Sequence, residues 1–365
     1  MKFVKTLILT ILLLVSCSVL ALLVFMRSDM APVLGATPEA TTEPVATSTP
    51  APTPTPEPEY FTISFVGDNT LSSSNINSSF KNTVNDNMAY PYANTVEYFN
   101  EDDLTIANLE CVFSDKTLYS NEMFAFKSPT SYTGILTEGS VEFVTVANNH
   151  ANDFGQKGYD DTCAALDSAS ISYAGENETA VYETESGLKV GSYCAYNSVS
   201  AKNVEAGIAK LQEQDVEYII CALHWGEEGT YKPKDSQVEI AHAAIDAGAN
   251  VVYGSHPHVL QPVEEYEDGI IFYSLGNWSF GGNTNPKDMD TAIVQVKVMR
   301  DVDGNVSTDS FELIPCRMSS TAKYNDFCPT PYEEDSDDYK RTMSKLDGSF
   351  DGDNLTVDYS FLNNR

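Results

Sequence analysis

The sequence has few basic residues. Its 365 residues include 21 Lys and Arg against 53 Asp and Glu, which gives a formal net charge of −32. Residues 1–30 carry +2 and residues 31–59 carry −4, so residues 60–365 hold −30 and the acidity belongs to the body of the chain. Because nucleic-acid binding needs Lys and Arg to replace phosphate counterions, this composition excludes a nucleic-acid partner.

Organised cysteine patterns are also missing. The seven cysteines form no CxxC pair and no zinc-ribbon spacing, which excludes a disulfide framework and a cysteine-based zinc site. Cys194 and Cys221 lie in apolar runs and are predicted to be buried thiols. Cys316 and Cys328 flank a polar loop and could pair in an oxidising compartment, a question that their spacing leaves open.

One long hydrophobic run is present, at residues 7–26, and it follows Lys2 and Lys5. Twenty residues at helical rise span the hydrocarbon core of a bilayer, and the two lysines favour a cytoplasmic N-terminus. Residues 1–30 are therefore predicted to be a cytoplasmic stub and transmembrane signal anchor of a single-pass cell-membrane protein. A cleaved signal peptide and a lipoprotein lipidated at Cys17 are the alternatives. All three place the body of the chain outside the cytoplasm.

Composition divides the rest of the chain into three parts. Residues 31–59 are rich in Pro, Thr and Glu and are predicted to be a disordered, extended linker that holds the domain off the membrane. Residues 60–320 are predicted to form the folded domain, and residues 321–365 an acidic C-terminal extension.

Short apolar runs alternate with helical patterns through the folded part. Segments such as residues 157–168 and 235–247 have helical periodicity, so the chain is predicted to be an α/β protein. Residues 292–299 and 309–314 flank a turn and predict a hairpin, which makes the sheet mixed. The remaining predicted strands are 60–66, 103–109, 142–147, 217–223, 250–253 and 270–275.

Histidines are rare, and their placement is informative. There are only five, and four of them directly follow predicted strands: His150, His224, His256 and His258. The fifth, His242, lies in a helical pattern and is predicted to be an ordinary helix residue. In open α/β sheets, ligands bind beyond the carboxyl ends of the strands, so we expect a shared polar site there.

Oxygen donors occupy equivalent positions beside these histidines. Asp68, Glu110 and Asn149 also follow predicted strands. Imidazole and carboxylate together suit Mn, Zn or Fe better than Ca, which prefers oxygen ligands alone. The sequence therefore predicts a site for one or two divalent ions, and two ions bridged by a carboxylate would activate water against an ester or amide.

Six segments carry a resemblance to a known family. About 70% of the chain, from Tyr60 to about Ile314, resembles the CapA-type family of poly-γ-glutamate capsule-synthesis proteins. The resemblance implies a four-layer α/β/β/α sandwich of mixed sheets, as in the calcineurin-like metallophosphoesterases. The segments are FVGDNTL (65–71), ANLE (107–110), VANNHANDFGQKG (146–158), LHWGEE (223–228), DAGANVVYGSHPHVLQPVE (246–264) and YSLGNWSF (273–280).

The resemblance also implies a role for each motif residue. Asp68 would open the ligand set of one ion, Glu110 would bridge the two ions, and Asn149 would bind the second ion. His150 would protonate the leaving group or stabilise the transition state. The ligand sets would be completed by His224, His256 and His258.

Two positions depart from the metallophosphoesterase pattern. The opening motif of those enzymes is Asp-x-His, whereas this chain has Thr70 at the third position, so the first ion loses a nitrogen ligand. Glu110 stands where those enzymes place an aspartate, and its extra methylene would shift the bridging carboxylate.

Five further polar residues are predicted near the site. Asn108, Asn148 and Asn277 are expected to support the ligands through hydrogen bonds. Glu227 and Lys127 are candidate substrate contacts, and solvated loop charges are the alternative for both.

Three functions are consistent with these residues. The first is a membrane-anchored, extracytoplasmic CapA-like protein that supports synthesis or export of an anionic, poly-γ-glutamate-like capsule polymer. Such a protein would work with membrane proteins of capsule synthesis and export. It would act through a metal-dependent hydrolase-like site. The second is a non-catalytic assembly or polymer-binding factor. The third is a metal-dependent phosphodiesterase that acts on cell-wall polymers.

Overall fold

The computed structural model describes residues 57–74, 79–197 and 199–356. The predicted anchor and nearly all of the predicted linker lie outside these residues. Within the described ranges, no helix combines the length and the apolar character needed to cross a bilayer.

Strands form two mixed sheets and one short pair. The first sheet has the order β16-β15-β14-β1-β2-β5-β6, with β13 beside β1; the second has the order β11-β12-β10-β9-β8-β7; β3 pairs with β4. The strands are β1 (Glu59–Thr70), β2 (Leu104–Leu109), β3 (Val112–Phe113), β4 (Lys127–Ser128), β5 (Phe143–Thr145), β6 (Ser172–Ala174), β7 (Glu178–Glu183), β8 (Lys189–Ala195), β9 (Tyr218–His224), β10 (Val251–Ser255), β11 (Val263–Tyr266), β12 (Gly269–Phe272), β13 (Asn277–Phe280), β14 (Asp290–Arg300), β15 (Val306–Arg317) and β16 (Thr330–Pro331).

Helices cover the outer face of each sheet. The described helices are α1 (Ser79–Val84), α2 (Val96–Asn100), α3 (Thr133–Glu138), α4 (Gly155–Ala169), α5 (Ala201–Gln212), α6 (Asp235–Asp246) and α7 (Asp337–Leu346). Helix α5 begins at Ser200, whose hydroxyl accepts a hydrogen bond from the backbone N–H of Asn203, so a side chain satisfies one of the unpaired donors of the first turn.

Three apolar cores separate four layers. Phe65 of β1 packs between the two sheets with Tyr253 and Phe272 of the second sheet. Val66, the next residue, points to the opposite face, where helices α1 to α4 pack, as the two-residue repeat of a strand requires. Helices α5 and α6 pack on the outer face of the second sheet. The expected four-layer α/β/β/α arrangement of mixed sheets is therefore confirmed.

Strand β1 is longer than predicted. The predicted strand ended at residue 66, but the strand continues to Thr70 because it pairs with β2 on one side and β13 on the other. Gly67 permits this arrangement, since a Cβ there would lie 2.2 Å from the carbonyl oxygen of Gly276. The backbone N–H of Asp68 donates to the same carbonyl oxygen at 2.8 Å.

The predicted hairpin is confirmed. Strands β14 and β15 pair antiparallel along their lengths, and β14 also pairs antiparallel with β1. Cys316, in β15, is a buried free thiol, as is Cys328, so these two residues form no disulfide.

Residues after 320 are part of the folded unit. Strand β16 extends the first sheet beside β15, Phe327 lies in the core beneath α1 to α4, and Leu346 of α7 packs on Leu260. Residue 320 therefore does not mark the end of the domain, because this segment contributes a strand and core side chains to it.

Candidate metal site

Six strands place polar side chains at one common location. Strands β1, β2 and β5 of the first sheet, β13 beside them, and β9 and β10 of the second sheet all end or begin there. The sequence-predicted residues brought together are Asp68, Asn108, Glu110, Asn148, Asn149, His150, His224, His256, His258 and Asn277.

Glu110 joins two possible ligand sets. Ligand atoms of Glu110, His224 and His256 all lie within 4.8 Å of one another, and the same holds for Asp68, Glu110 and His258. One carboxylate thus belongs to both sets, as expected of a bridging ligand.

The carboxylate of Glu110 is buried and has few hydrogen-bond partners. Its Oε1 atom is buried and has no hydrogen-bond partner, while Oε2 accepts only a 3.3 Å hydrogen bond from the Thr70 hydroxyl. Burial and the nearby charge of Asp68 raise the pKa of Glu110 to about 7, against the opposing effect of His258. A buried oxygen without a donor is costly, so the site fits a cation next to Oε1.

His224 is arranged to remain neutral. Its Nδ1 lies 2.9 Å from the Ser255 hydroxyl, and its Nε2 lies 2.7 Å from Oδ1 of Asn149 and 3.1 Å from Nδ1 of His256. Burial, with His256 and the other nearby histidines, lowers the pKa of His224 well below its usual value. A neutral imidazole is the form that binds a metal ion.

Asp68 is held by backbone and side-chain donors. Its Oδ1 accepts a 2.9 Å hydrogen bond from the Asn108 amide, and its Oδ2 accepts one of 3.2 Å from the backbone N–H of His256. The Nδ1 atom of His258 lies 3.3 Å from the same Oδ2. These contacts fix the side chain between the ends of β1, β2 and β10.

Three asparagines orient the ligands. The Asn148 amide donates to Oδ1 of Asn108 at 3.0 Å and to the carbonyl of Leu109 at 2.8 Å. Asn277 contacts His258 twice, through its Oδ1 at 2.9 Å from Nδ1 and through its amide to the backbone carbonyl. Their positions agree with the supporting role expected of them.

His256 and His258 reach the site from a turn and not from an extended strand. Their φ angles are +98° and +58°. Both lie in a turn after β10, and this turn rather than strand alternation aims the rings inward. Burial and His258 lower the pKa of His256 to about 4. Burial opposes charge on His258 too, but Glu110 and Asp68 raise its pKa to about 10.

His150 lies at the edge of the site, fixed by a partner that sequence reasoning missed. Its Nδ1 lies 3.0 Å from a carboxylate oxygen of Asp153, and its ring packs edge-on against Phe126. Burial works against protonation, but the Asp153 hydrogen bond and Glu110 raise the pKa of His150. The spacing of a histidine and an aspartate three residues apart was the available signal.

The two candidate substrate contacts have other partners in the described structure. Glu227 is exposed and forms a 2.8 Å ion pair with Lys234. The ammonium of Lys127 donates to the backbone carbonyls of Ser114 and Lys116. The neighbouring Glu228 instead has a ligand atom within 4.8 Å of His256 and His258, although the sequence reasoning did not single it out.

His242 is a helix residue, as expected. Its ring stacks on Tyr266 and its Nε2 lies 2.9 Å from Glu264.

The fold and the site together define a class: a four-layer α/β protein with carboxylate and imidazole ligands gathered at the strand ends around one shared glutamate. The profile of the bacterial capsule synthesis protein PGA_cap family matches residues 62–281, and the chain belongs to that family.

Similar proteins include two from Bacillus. The chain is 31% identical over 237 residues to the capsule biosynthesis protein CapA of Bacillus anthracis, a match that covers 56% of this chain and 57% of that protein. It is 27% identical over 235 residues to the PGA biosynthesis protein CapA of Bacillus subtilis, covering 58% of each chain. The matched part thus spans less than two thirds of either relative.

Solved structures with a related backbone were also found. The NAD nucleotidase of Haemophilus influenzae has a TM-score of 0.42 and 12% identity, covering 82% of this chain and 65% of the other. A purple acid phosphatase from yellow lupin seeds has a TM-score of 0.35 and 9% identity, covering 82% and 57%.

Proposed function

We propose that the chain is a membrane-anchored, extracytoplasmic accessory protein of capsule synthesis, and that its site is a metal-dependent hydrolase-like centre that cuts or transfers an amide or ester bond in an anionic polymer. The observation that carries this proposal is the shared, buried Glu110 carboxylate, whose Oε1 accepts no hydrogen bond and which belongs to two ligand sets. Membership of the PGA_cap family supports the polymer context.

The residues would divide the work as follows. Asp68 and His258 would hold one divalent ion, and Asn149, His224 and His256 the other, with Glu110 between them. When bound, Mn, Zn or Fe would supply Lewis-acid polarisation of the scissile bond and lower the pKa of water.

His150 has the contacts of a proton donor to the leaving group. The Asp153 carboxylate engages its Nδ1, which fixes the ring and the tautomer and leaves Nε2 as the nitrogen for transfer. The same hydrogen bond favours the protonated ring, which is the form that a general acid requires.

The test uses the full chain purified in detergent and loaded separately with Mn, Zn or Fe. Bound metal is measured by elemental analysis, and hydrolysis is measured on γ-glutamyl amides and on generic phosphodiesters. We expect metal binding with turnover of a γ-glutamyl amide. His150→Ala should keep the metal and lose about 10²- to 10⁴-fold in turnover.

A second candidate function is non-catalytic assembly. The Thr70 hydroxyl, which stands where the metallophosphoesterase pattern has a histidine, donates to Glu110 at 3.3 Å and adds no nitrogen to the Asp68 ligand set. Metal content without turnover, unchanged in His150→Ala, would favour this candidate. Phosphodiester hydrolysis lost in both Asp68→Ala and His256→Ala would instead favour a wall-polymer phosphodiesterase.

The proposed polymer and the proposed location have their own tests. Because residues 60–365 carry −30, we expect an anionic polymer to bind weakly and more tightly as salt screens the repulsion; binding that is tight at low salt and weakens with added salt would contradict the polymer assignment. For the anchor, the full chain should remain in the membrane fraction and be digested by protease added outside intact cells. Release into the medium would contradict anchoring.

A further inference from the structure

Glu228 lies beside one histidine from each of the two ligand sets. Its ligand atom and those of His256 and His258 are all within 4.8 Å of one another. His256 also belongs to the set with His224, and His258 to the set with Asp68. Glu228 therefore adds a further carboxylate beside both of these histidines.

The backbone around Glu228 is fixed against the histidine turn. The N–H of Gly229 donates to the carbonyl of Pro257 at 2.8 Å, and the N–H of Trp225 donates to the carbonyl of Ser255 at 3.0 Å. Between these bonds Gly226 has φ +90°, a conformation that strains a residue with a side chain. These constraints place Glu228, and not its neighbour, over the histidines.

A second set of contacts holds the same loop from the other side. The N–H of Tyr231 donates to Oδ1 of Asn354 at 3.0 Å, and the N–H of Leu355 donates to the carbonyl of Gly229 at 2.9 Å. The Tyr231 hydroxyl donates to Asp288 at 2.7 Å. Glu228 is thus carried by a loop bonded on both sides, as suits a group that must keep its position.

The donor set has a place for this carboxylate. The set with Asp68, Glu110 and His258 has only one nitrogen, and Thr70 directs its hydroxyl to Glu110. Two divalent ions beside only Asp68 and Glu110 would also leave two positive charges uncompensated, and a third carboxylate reduces that excess.

We propose that Glu228 is a metal ligand of this site. It would bind on the open side of the site, next to His256 and His258, and supply the ligand that is missing because residue 70 is Thr70 and not a histidine. The inference rests on the metal-binding function proposed above. It assigns Glu228 to a divalent ion of the Mn, Zn or Fe type, which accepts carboxylate and imidazole together.

The experiment compares adjacent glutamates in the full chain. Wild type, Glu228→Gln and the matched control Glu227→Gln are titrated with Co²⁺, with affinity measured by equilibrium dialysis and ligand geometry by the visible absorption of bound Co²⁺. We expect Glu228→Gln to lower the affinity for one Co²⁺ ion by about tenfold or more and to change the absorption spectrum of the bound ion. Glu227→Gln should match wild type, because its side chain pairs with Lys234 at the surface.

The outcomes separate this inference from the function on which it rests. Wild type that binds no ion would contradict the metal-binding function itself. Wild type that binds, with Glu228→Gln equal to Glu227→Gln in affinity and spectrum, would overturn only the role of Glu228. Far-ultraviolet circular dichroism checks folding, and if Glu228→Gln is unfolded, Glu228→Asp decides by the same measurements, since it keeps the charge but shortens the reach.

Discussion

Two buried clusters of carboxylates differ in the cations beside them. In the cluster formed by Asp288, Asp290, Arg341 and Lys345, the ammonium of Lys345 lies 2.6 Å from Asp288 and 2.7 Å from Asp290, and Arg341 lies 2.6 Å from Asp290. In the candidate metal site, the carboxylates of Asp68 and Glu110 face imidazoles instead, and Oε1 of Glu110 accepts no hydrogen bond, its nearest imidazole nitrogen being Nε2 of His224 at 3.6 Å. The first cluster is neutralised by permanent cations that belong to the chain, whereas the second would be neutralised by the metal ions proposed above.

The pKa shifts of the two clusters run in opposite directions. Burial would raise the pKa of Asp290, but the hydrogen bonds of Arg341 and the charge of Lys345 outweigh it and hold the pKa below its usual value. Burial and Asp68 raise the pKa of Glu110 to about 7. Burial alone therefore does not decide the charge state; the partner does, and a site that gives up internal partners gives up stability for binding.

The largest expected effect comes from removing the shared cation. Lys345→Met leaves the buried carboxylate of Asp288 without its cation and Asp290 with Arg341 alone, which we expect to lower the free energy of unfolding by about 3–5 kcal/mol. Denaturant unfolding of the full chain in detergent measures it. Lys340→Met, on the exposed face of the same helix, is the control; equal effects of the two variants would contradict the contrast.

A mutation in the candidate metal site is expected to change the free energy of unfolding in the opposite direction. Glu110→Gln removes a buried charge whose neighbours do not offset the cost of burial. We therefore expect the metal-free protein in chelator at pH 8 to gain roughly 1–3 kcal/mol of unfolding free energy while divalent-ion binding is lost. Thermal unfolding and elemental analysis measure the two quantities. A variant that is less stable than wild type without metal would show that Glu110 supports the fold.

Acid should weaken the first cluster. Because the folded-state pKa of Asp290 is depressed, its contribution is complete above the unfolded pKa of about 4 and disappears as the pH falls through the lower folded value. The slope from one carboxyl is at most about 1.4 kcal/mol per pH unit. Between pH 5 and pH 2, the free energy of unfolding of Asp290→Asn should depend less on pH than that of wild type. An unchanged pH dependence would show that Asp290 does not cause the loss of stability in acid.

The smallest effect is expected at an exposed pair. Glu227 and Lys234 form an ion pair at the surface, where solvent screens the charges. Glu227→Gln should change the free energy of unfolding by less than about 1 kcal/mol. A larger loss would mean that solvent exposure does not explain the difference between the clusters.

Much of the site was accessible from sequence because strands end in the same place. His150, His224, His256 and His258 followed predicted strands, and all four lie at the common end of the sheets. Strand prediction needs only local apolar periodicity, and parallel strands of one sheet bring their ends together without further information.

The remaining errors share a cause in non-local backbone contacts. Nothing local indicates that β1 continues through Gly67, since its last residues are held by β2 and β13, which are distant in sequence. Glu227 was preferred to Glu228 because a one-residue choice in a loop depends on the φ of Gly226 and on the bond from Gly229 to Pro257.

The C-terminal boundary shows the same limit. The acidic composition after residue 320 is typical of a surface segment, yet Phe327 and Leu346 are buried. The cations of this segment, Arg341 and Lys345, both contact Asp290 of β14, which is more than 50 residues away in sequence.

The bonds from Asn354 and Leu355 to the loop at Gly229 and Tyr231 have a practical consequence. A purification tag, a fluorescent fusion or a surface tether attached next to residue 356 would lie close in sequence to the two residues that bond the loop carrying Glu228. Such tags and tethers are better attached at the turn between β14 and β15, on the exposed residues around Asp303.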